Sequence, residues 1–220
     1  MRRIKFINDE YYHIYNRGVD KRTIFDCQED LDRFFLSMKE FNVVDPIGSI
    51  YENSLNKNKF GHRVSKPKKE KLVNFICYNL LPNHYHFVLQ QLVDNGIQKF
   101  MHKLGMGYAK YFNAKNKRSG SLFQSKYKAI HVNSNRYLLH LSAYINLNDK
   151  VHNLEKFGHR VSKLFKSSWG EYIQEKKVFF CEKNIVLDQF GNRDDYKEFA
   201  KDSLERIEEN KQIKNFLLEH

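Results

Sequence analysis

The segment LVNFICYNLLPNHYHFVL, residues 72–89, carries the strongest fold signal in the chain. Its two runs of β-branched, aromatic and other apolar residues, 72–80 and 85–89, predict two strands. Leu81-Pro82-Asn83 supplies residues typical of a turn between them. We therefore expect a hairpin of two adjacent, central strands.

The flanking sequence predicts two more strands and three helices. Residues 11–16 (YYHIYN) and 122–132 (LFQSKYKAIHV) are β-prone. Apolar residues recur at spacings of three and four within 26–41, 94–113 and 133–148, as on the buried face of a helix. The hairpin is thus expected to lie within a larger sheet.

The order strand, helix, strand, strand, helix, strand, helix predicts an α+β fold, an antiparallel sheet with helices packed on one face in a ferredoxin-like or RNA-recognition-motif-like layout. We assign residues 1–150 to this domain, with an exposed polar insertion at about 45–70. Residues 151–220 are expected to form a basic connection and a C-terminal helical tail, whose amphipathic stretch spans 192–218.

Composition favours an anionic partner. The 220 residues include 38 Lys and Arg against 26 Asp and Glu, a formal net charge of +12. Such a charge favours nucleic acid through counterion release, with membrane surfaces as the competing class. No apolar run approaches the roughly 20 residues of a spanning helix, and charges interrupt the N-terminal segment. We expect a cytoplasmic protein with no membrane partner.

Two pairs of residues have spacings that suit a catalytic site. His84 and His86 alternate on a predicted strand, so both imidazoles project from one face, as metal ligands would. Tyr144 and Asn148 lie one turn apart on a predicted helix. Each pair alone is weak evidence for a catalytic site. Paired histidines on a strand are more often structural, and tyrosines at helical spacing are usually core residues. Spacing also leaves four other tyrosines open as nucleophiles: Tyr108, Tyr111, Tyr127 and Tyr137.

Four segments together are more specific. They are YHIYNRGVDKRTIF (12–25), LPNHYHFVL (81–89), YFNAKNKRSGSLFQSKYKA (111–129) and YLLHLSAYINLND (137–149). In order and spacing they resemble the single-tyrosine HUH transposases of the IS200-like type, especially the REP-associated tyrosine transposases. The chain departs from the family at Ser125-Lys126, often Gly-Arg, and at Asp149, often Pro.

The resemblance implies an HUH endonuclease fold and specific roles for four residues. His84, His86 and Asn148 would hold a divalent metal, Mg²⁺ or Mn²⁺, and Tyr144 would attack DNA. The implied activity is cleavage and rejoining of single-stranded or hairpin DNA through a 5′-phosphotyrosine intermediate, by a homodimer whose tyrosine helix serves the partner's histidines. Basic residues expected to follow the DNA backbone are Arg17, Lys117, Arg118, Lys126 and Lys128.

Three other functions stay open at this level. The same residues would serve an HUH replication initiator or relaxase, although the chain is short and has no phosphate-binding loop of the helicase type. A non-catalytic nucleic-acid-binding module would use the sheet and its aromatic residues for base stacking. A scaffold role would leave the four ordered segments unexplained.

The octapeptide KFGHRVSK occurs twice, at 59–66 and 156–163, both times in polar sequence. Codons exist for which the coding DNA is self-complementary about the central Arg: TTT with AAA, GGA with TCC, and CAC with GTG. We hypothesise that both copies descend from a mobile palindromic DNA element inserted where loops tolerate extra residues.

Overall fold

The computed structural model describes residues 4–45, 47, 48, 50, 70–151, 154, 159, 161–174 and 180–209. One antiparallel sheet organises them, with strand order β4-β1-β3-β2-β5. The strands are β1 Tyr11–Arg17, β2 Val73–Leu81, β3 His84–Gln91, β4 Lys128–His131 and β5 Lys166–Ser167. The hairpin expected within 72–89 is confirmed as β2 and β3, and β3 lies at the centre of the sheet.

The three helices expected before residue 150 are confirmed, with shifted ends. Ser134 begins the third by accepting a hydrogen bond from the backbone N–H of Tyr137, at 3.3 Å. The α-helices of the described ranges are α1 Gln28–Glu40, α2 Gly96–Lys115, α3 Asn135–Asn146, α4 Asn148–Val151, α5 Trp169–Ile173, α6 Asn184–Leu187 and α7 Arg193–Glu209.

Helices cover both faces of the sheet, so the expectation of helices on one face was wrong. α1 and α2 pack on one face, in a cluster that includes Phe34, Tyr85 and Phe100. α3 packs on the other face, where its Leu141 joins a separate cluster with Val88. The physical reason is that β2 and β3 are buried almost throughout, and a strand with two apolar faces needs cover on both.

Residues after 150 pack against this sheet. β5 pairs with the end of β2, at Asn79↔Ser167 and Leu80↔Lys166. The Tyr172 hydroxyl donates to the Ile76 carbonyl at 2.9 Å, and Tyr196 of α7 is fully buried in the cluster of α3. The C-terminal helix expected over 192–218 is present over Arg193–Glu209, and residues 210–218 lie outside the described residues. The domain boundary at residue 150 stays a prediction.

Some expectations fall on residues that the structure does not describe. Most of the insertion at about 45–70 lies outside the described residues, as do the first KFGHRVSK copy and half of the second. Within the described ranges, no helix combines the length and the apolarity that crossing a bilayer requires. The cytoplasmic location stays a prediction.

Candidate active site

His84 and His86 lie on β3 with their side chains on the face that α3 covers. Both are buried, and β1 places Arg17 opposite His84 and Tyr15 opposite His86. Since directly opposed residues share a face of an antiparallel sheet, these four side chains surround one location. They line a cavity of about 20 Å³ together with Asn16, Gln124, Ser125 and Lys128. That volume suits a single water or ion.

The ring of His84 has a defined tautomer. Its Nδ1 lies 2.6 Å from Oδ1 of Asn83, whose amide Nδ2 donates to the Lys21 carbonyl at 3.1 Å. Because the amide nitrogen is the donor in that second contact, Oδ1 must accept from His84. The proton of His84 therefore sits on Nδ1, and Nε2 carries the lone pair that can bind a metal.

A third histidine, which we did not select from the sequence, contacts His86 from β1. Nε2 of His13 lies 2.9 Å from Nδ1 of His86, and the two rings stack with centroids 5.2 Å apart. His13 is fully buried, and burial followed by the neighbouring His86 lowers its pKa well below the usual value. His13 is therefore neutral at neutral pH. The signal in the sequence was the alternation of His13, Tyr15 and Arg17 along one strand face.

Tyr144 lies on α3 above this face. Its ring is edge-on to that of His86, with centroids 6.1 Å apart, and only 5% of the residue is exposed. Spacing alone had left other tyrosines open. Tyr108 lies on the opposite side of the sheet, where its hydroxyl donates to the Ile24 carbonyl, and Tyr111 donates to Asp30. The structure brings Tyr144 to the histidines and keeps Tyr108 and Tyr111 away.

Tyr15 is a further aromatic residue at the cavity that sequence reasoning missed. Its ring stacks on His13 and His86, with centroid distances of 4.9 and 5.5 Å. The Lys128 ammonium lies 5.7 Å from the centre of the Tyr15 ring. Tyr15 is therefore a competitor of Tyr144 for any tyrosine chemistry at this location. Tyr144 itself is not among the residues that line the cavity.

Asn148 begins α4, one turn after Tyr144. It is fully buried, and neither Oδ1 nor Nδ2 has a hydrogen-bond partner among the described residues. Leaving an amide in this state is costly, so a ligand is the expected partner of these atoms. The adjacent backbone is held by Asn79, which lies opposite His86 and donates to the Ile145 carbonyl at 2.8 Å.

The donor atoms of His84, His86 and Asn148 are of kinds that divalent metals accept, although Asn148 is not among the residues that line the cavity. In the described part of the chain, no group of three or more His, Cys, Asp or Glu side chains is placed to hold a metal ion. A metal at this site would therefore depend on the imidazoles of His84 and His86 and on the amide oxygen of Asn148. Amide oxygen is a ligand that suits Mn²⁺ and Mg²⁺, and neutral imidazole is a common ligand of divalent transition metals. Three protein ligands would leave open positions for a phosphate oxygen.

Part of the predicted strand 122–132 instead forms a wall of the cavity. Nδ2 of Asn16 donates to the carbonyls of Ser125 and Lys126, each at 2.9 Å. The backbone N–H of Gln124 donates to the Arg17 carbonyl at 2.9 Å. These bonds hold residues 124–126 at the end of β1. Only Lys128–His131 continues as strand β4.

The five basic residues expected to bind DNA fall into two groups. Arg17 and Lys128 line the cavity. Lys117, Arg118 and Lys126 do not, and the Arg118 guanidinium donates to Oδ1 of Asn113 and to the Ser121 carbonyl, which holds the turn after α2. The contact of each with DNA stays a prediction.

Comparison with known proteins gives one family match. Residues 49–148 match the model of the family described as "Transposase IS200 like". A solved structure of a REP-associated tyrosine transposase bound to a REP hairpin aligns with 70% of this chain and 74% of its own, at 11% identity and a TM-score of 0.39. No curated protein matches the sequence. The family match confirms the IS200-like resemblance over the segment that contains His84, His86, Tyr144 and Asn148.

Proposed function

We propose that this chain, whose residues 49–148 match the IS200-like transposase family model, cleaves and rejoins single-stranded hairpin DNA with Tyr144 as its nucleophile. The observation that supports this most directly is the position of the Tyr144 ring, 6.1 Å from the ring of His86. A nucleophile and a phosphate-activating group must lie this close to share one scissile phosphate.

Tyr144 would cut by in-line displacement at phosphorus. Its oxygen forms a bond to the phosphorus while the bond to the 3′ oxygen breaks, and that oxygen leaves as a 3′-hydroxyl after gaining a proton. The 5′ end stays on the protein as a phosphotyrosine. Attack by a 3′-hydroxyl on this phosphotyrosine restores the phosphodiester and releases Tyr144. The bond energy is conserved, so rejoining needs no nucleotide cofactor.

His84, His86 and Asn148 would hold a divalent ion, Mg²⁺ or Mn²⁺. When bound, such an ion polarises the scissile phosphate and stabilises the charge that develops on its oxygens. Arg17 and Lys128, at the mouth of the same cavity, would bind the non-bridging oxygens and the adjoining backbone. His84, His86 and Asn148 are buried, and the exclusion of water around them would strengthen their interactions with a bound ion.

The DNA backbone would continue from this cavity along a basic surface. Lys126 follows Ser125 in the loop that walls the cavity, and Lys117 and Arg118 lie in the turn that precedes it. We infer that these three residues add sequence-independent contacts, since lysine and arginine on phosphates supply most non-specific affinity. We also propose that the protein acts as a homodimer.

The repeated octapeptide suggests which hairpin to try first. If the codons for 59–66 pair across Arg63, the gene itself contains a short palindrome of the kind such an enzyme would process. We propose this palindrome as a substrate. Sequencing the gene tests the premise, because codons that do not pair across Arg63 and Arg160 remove it.

The deciding experiment measures a covalent protein–DNA adduct. The full chain is incubated with a labelled single-stranded hairpin and Mn²⁺ or Mg²⁺, and the products are separated under denaturing conditions. We expect an adduct from the unmodified chain and from Tyr15→Phe, and none from Tyr144→Phe or from His84→Ala. Tyr15→Phe is the matched control, since it removes a hydroxyl at the same cavity. An adduct that persists in Tyr144→Phe and disappears in Tyr15→Phe would assign the nucleophile to Tyr15.

A further inference from the structure

His13 and His86 form a buried pair of imidazoles on adjacent strands. His13 pairs with Val88 and His86 pairs with Tyr15, so the two histidines are offset by two residue pairs and lie diagonally on one face. The contact joins Nε2 of His13 to Nδ1 of His86 at 2.9 Å. Both residues have no exposed surface. One ring must donate and the other accept, so the pair can exist in two arrangements, and only one of them suits a metal ligand.

We propose that His13 is a positioning residue that accepts a hydrogen bond from Nδ1–H of His86 and thereby sets the tautomer and orientation of the His86 ring. This inference rests on the proposed function, because the proposed function is what makes His86 a metal ligand through Nε2. In the opposite arrangement His13 donates, His86 carries its proton on Nε2, and the nitrogen needed for coordination is blocked.

His84, the other proposed imidazole ligand, also has a side-chain hydrogen-bond acceptor at Nδ1. His84 donates from Nδ1 to Oδ1 of Asn83. Each proposed imidazole ligand therefore has a side-chain acceptor at Nδ1, supplied by the adjacent turn for His84 and by β1 for His86. Isolated imidazole favours the proton on Nε2, so an acceptor at Nδ1 is what turns each ring into the metal-binding tautomer.

The surroundings of His13 argue against a role in packing alone. Its second nitrogen, Nδ1, is buried and has no hydrogen-bond partner among the described residues. If His13 only filled space, an apolar side chain there would make the protein more stable, because a buried polar atom without a partner is destabilising. The presence of a polar ring is explained by the hydrogen bond that Nε2 of His13 accepts from His86.

The tautomer of His86 can be read directly in the metal-free protein. The full chain is labelled with ¹⁵N-histidine, and long-range ¹H–¹⁵N NMR reports which ring nitrogen of each histidine carries the proton. Spectra of His13 and His86 variants assign the two signals. We expect Nδ1–H on His86 in the unmodified chain. A proton on Nε2 of His86 would overturn the proposal.

Two variants of matched size separate positioning from packing. His13→Met fills similar space but removes the acceptor, whereas His13→Gln can place an amide oxygen near the position of Nε2. We expect His86 to revert to Nε2–H in the methionine variant and to keep Nδ1–H in the glutamine variant. A cooperative thermal unfolding transition is the control that shows whether each variant is folded. Retention of Nδ1–H in His13→Met would overturn the proposal.

Metal affinity provides the second readout. Titration with Mn²⁺, followed by electron paramagnetic resonance, should show an affinity about 10- to 100-fold lower in His13→Met, as for other partners of metal-bound histidines, with recovery in His13→Gln. Equal affinities in all three proteins would overturn the inference. Failure of the unmodified chain to bind Mn²⁺ would instead refute the proposed metal site, and the NMR result would still decide the His13–His86 contact.

Discussion

The ring of Tyr144 lies edge-on to the ring of His86 of its own chain, with centroids 6.1 Å apart. From the family resemblance we expected a homodimer in which the tyrosine helix serves the partner's histidines. The dimer itself stays a prediction. The contact within one chain favours a site that each protomer completes by itself.

Mixing two inactive variants tests this arrangement. If each chain uses its own residues, Tyr144→Phe and His86→Ala should form no adduct when combined, because neither chain contains both groups. The measurement is the labelled-hairpin adduct at equal concentrations of the two variants, after mixing under conditions that allow subunits to exchange. Appearance of an adduct would contradict the single-chain site and support exchange of tyrosine helices between protomers.

Asn148→Leu should stabilise the metal-free protein while weakening Mn²⁺ binding. The change removes a buried amide that has no hydrogen-bond partner among the described residues. We expect a gain of about 1–3 kcal/mol in the free energy of unfolding, the usual penalty of such a group. Urea unfolding without metal measures it.

Asn146→Leu is the matched control for this change. Asn146 is equally buried, but its amide donates to the Tyr196 hydroxyl at 2.9 Å and accepts from Ser168 at 2.5 Å. The same substitution there should be destabilising by a similar amount, since it removes one hydrogen bond from each of two buried polar partners. Destabilisation by both substitutions would mean that Asn148 is held by a hydrogen bond within the protein.

Tyr196→Phe should loosen the tyrosine helix. The Tyr196 hydroxyl contacts Ser142 and Asn146, on either side of Tyr144 along α3. We expect a loss of about 1–3 kcal/mol in unfolding free energy together with slower adduct formation. Tyr137→Phe provides the comparison. The Tyr137 hydroxyl is buried without a partner in the described part of the chain, so its removal should not lower the free energy of unfolding. Equal effects of the two variants would remove the anchoring role of Tyr196.

Arg17→Gln and Lys128→Met should each weaken DNA binding in a salt-dependent way. Every lost phosphate contact is expected to reduce the slope of log affinity against log salt by about 0.7 for single strands. Fluorescence anisotropy with a labelled hairpin at several salt concentrations measures this slope. Lys99 is an exposed residue of α2, which packs on the opposite face of the sheet, so Lys99→Met should leave the slope unchanged. A slope identical in all four proteins would exclude Arg17 and Lys128 as phosphate contacts.

Asp30 should make stability fall on acidification. Burial of its carboxylate raises its pKa, but hydrogen bonds from Lys115, the Asp26 backbone and Tyr111 outweigh burial, so the folded pKa is lowered. A lowered pKa contributes stability above the unfolded value, about 4, which is lost as the pH falls through the folded pKa. Urea unfolding from neutral to acidic pH should show a smaller acid loss in Asp30→Asn than in Asp32→Asn, an exposed neighbour. Equal acid losses in the two variants would contradict this role.

Local pattern was enough to predict most of the elements and the spacing of the two candidate residue pairs. Two β-rich runs within 72–89 predicted β2 and β3, and the alternation of side chains along a strand placed His84 and His86 on the same face. Helical spacing predicted α1, α2 and α3, and the position of Tyr144 one turn before Asn148. These are short-range properties, determined by the geometry of a single strand or helix.

Short-range sequence pattern therefore predicted most of the elements, and the family resemblance supplied the candidate residues. The tertiary structure shows which face each helix covers, that α3 brings Tyr144 to His86, and that His13 contacts His86 from another strand. It also decided that Arg17 and Lys128, but not Lys117, line the cavity. These relationships join residues far apart in the chain, and they arise because both faces of a central apolar hairpin must be buried, which the pattern within one element does not encode.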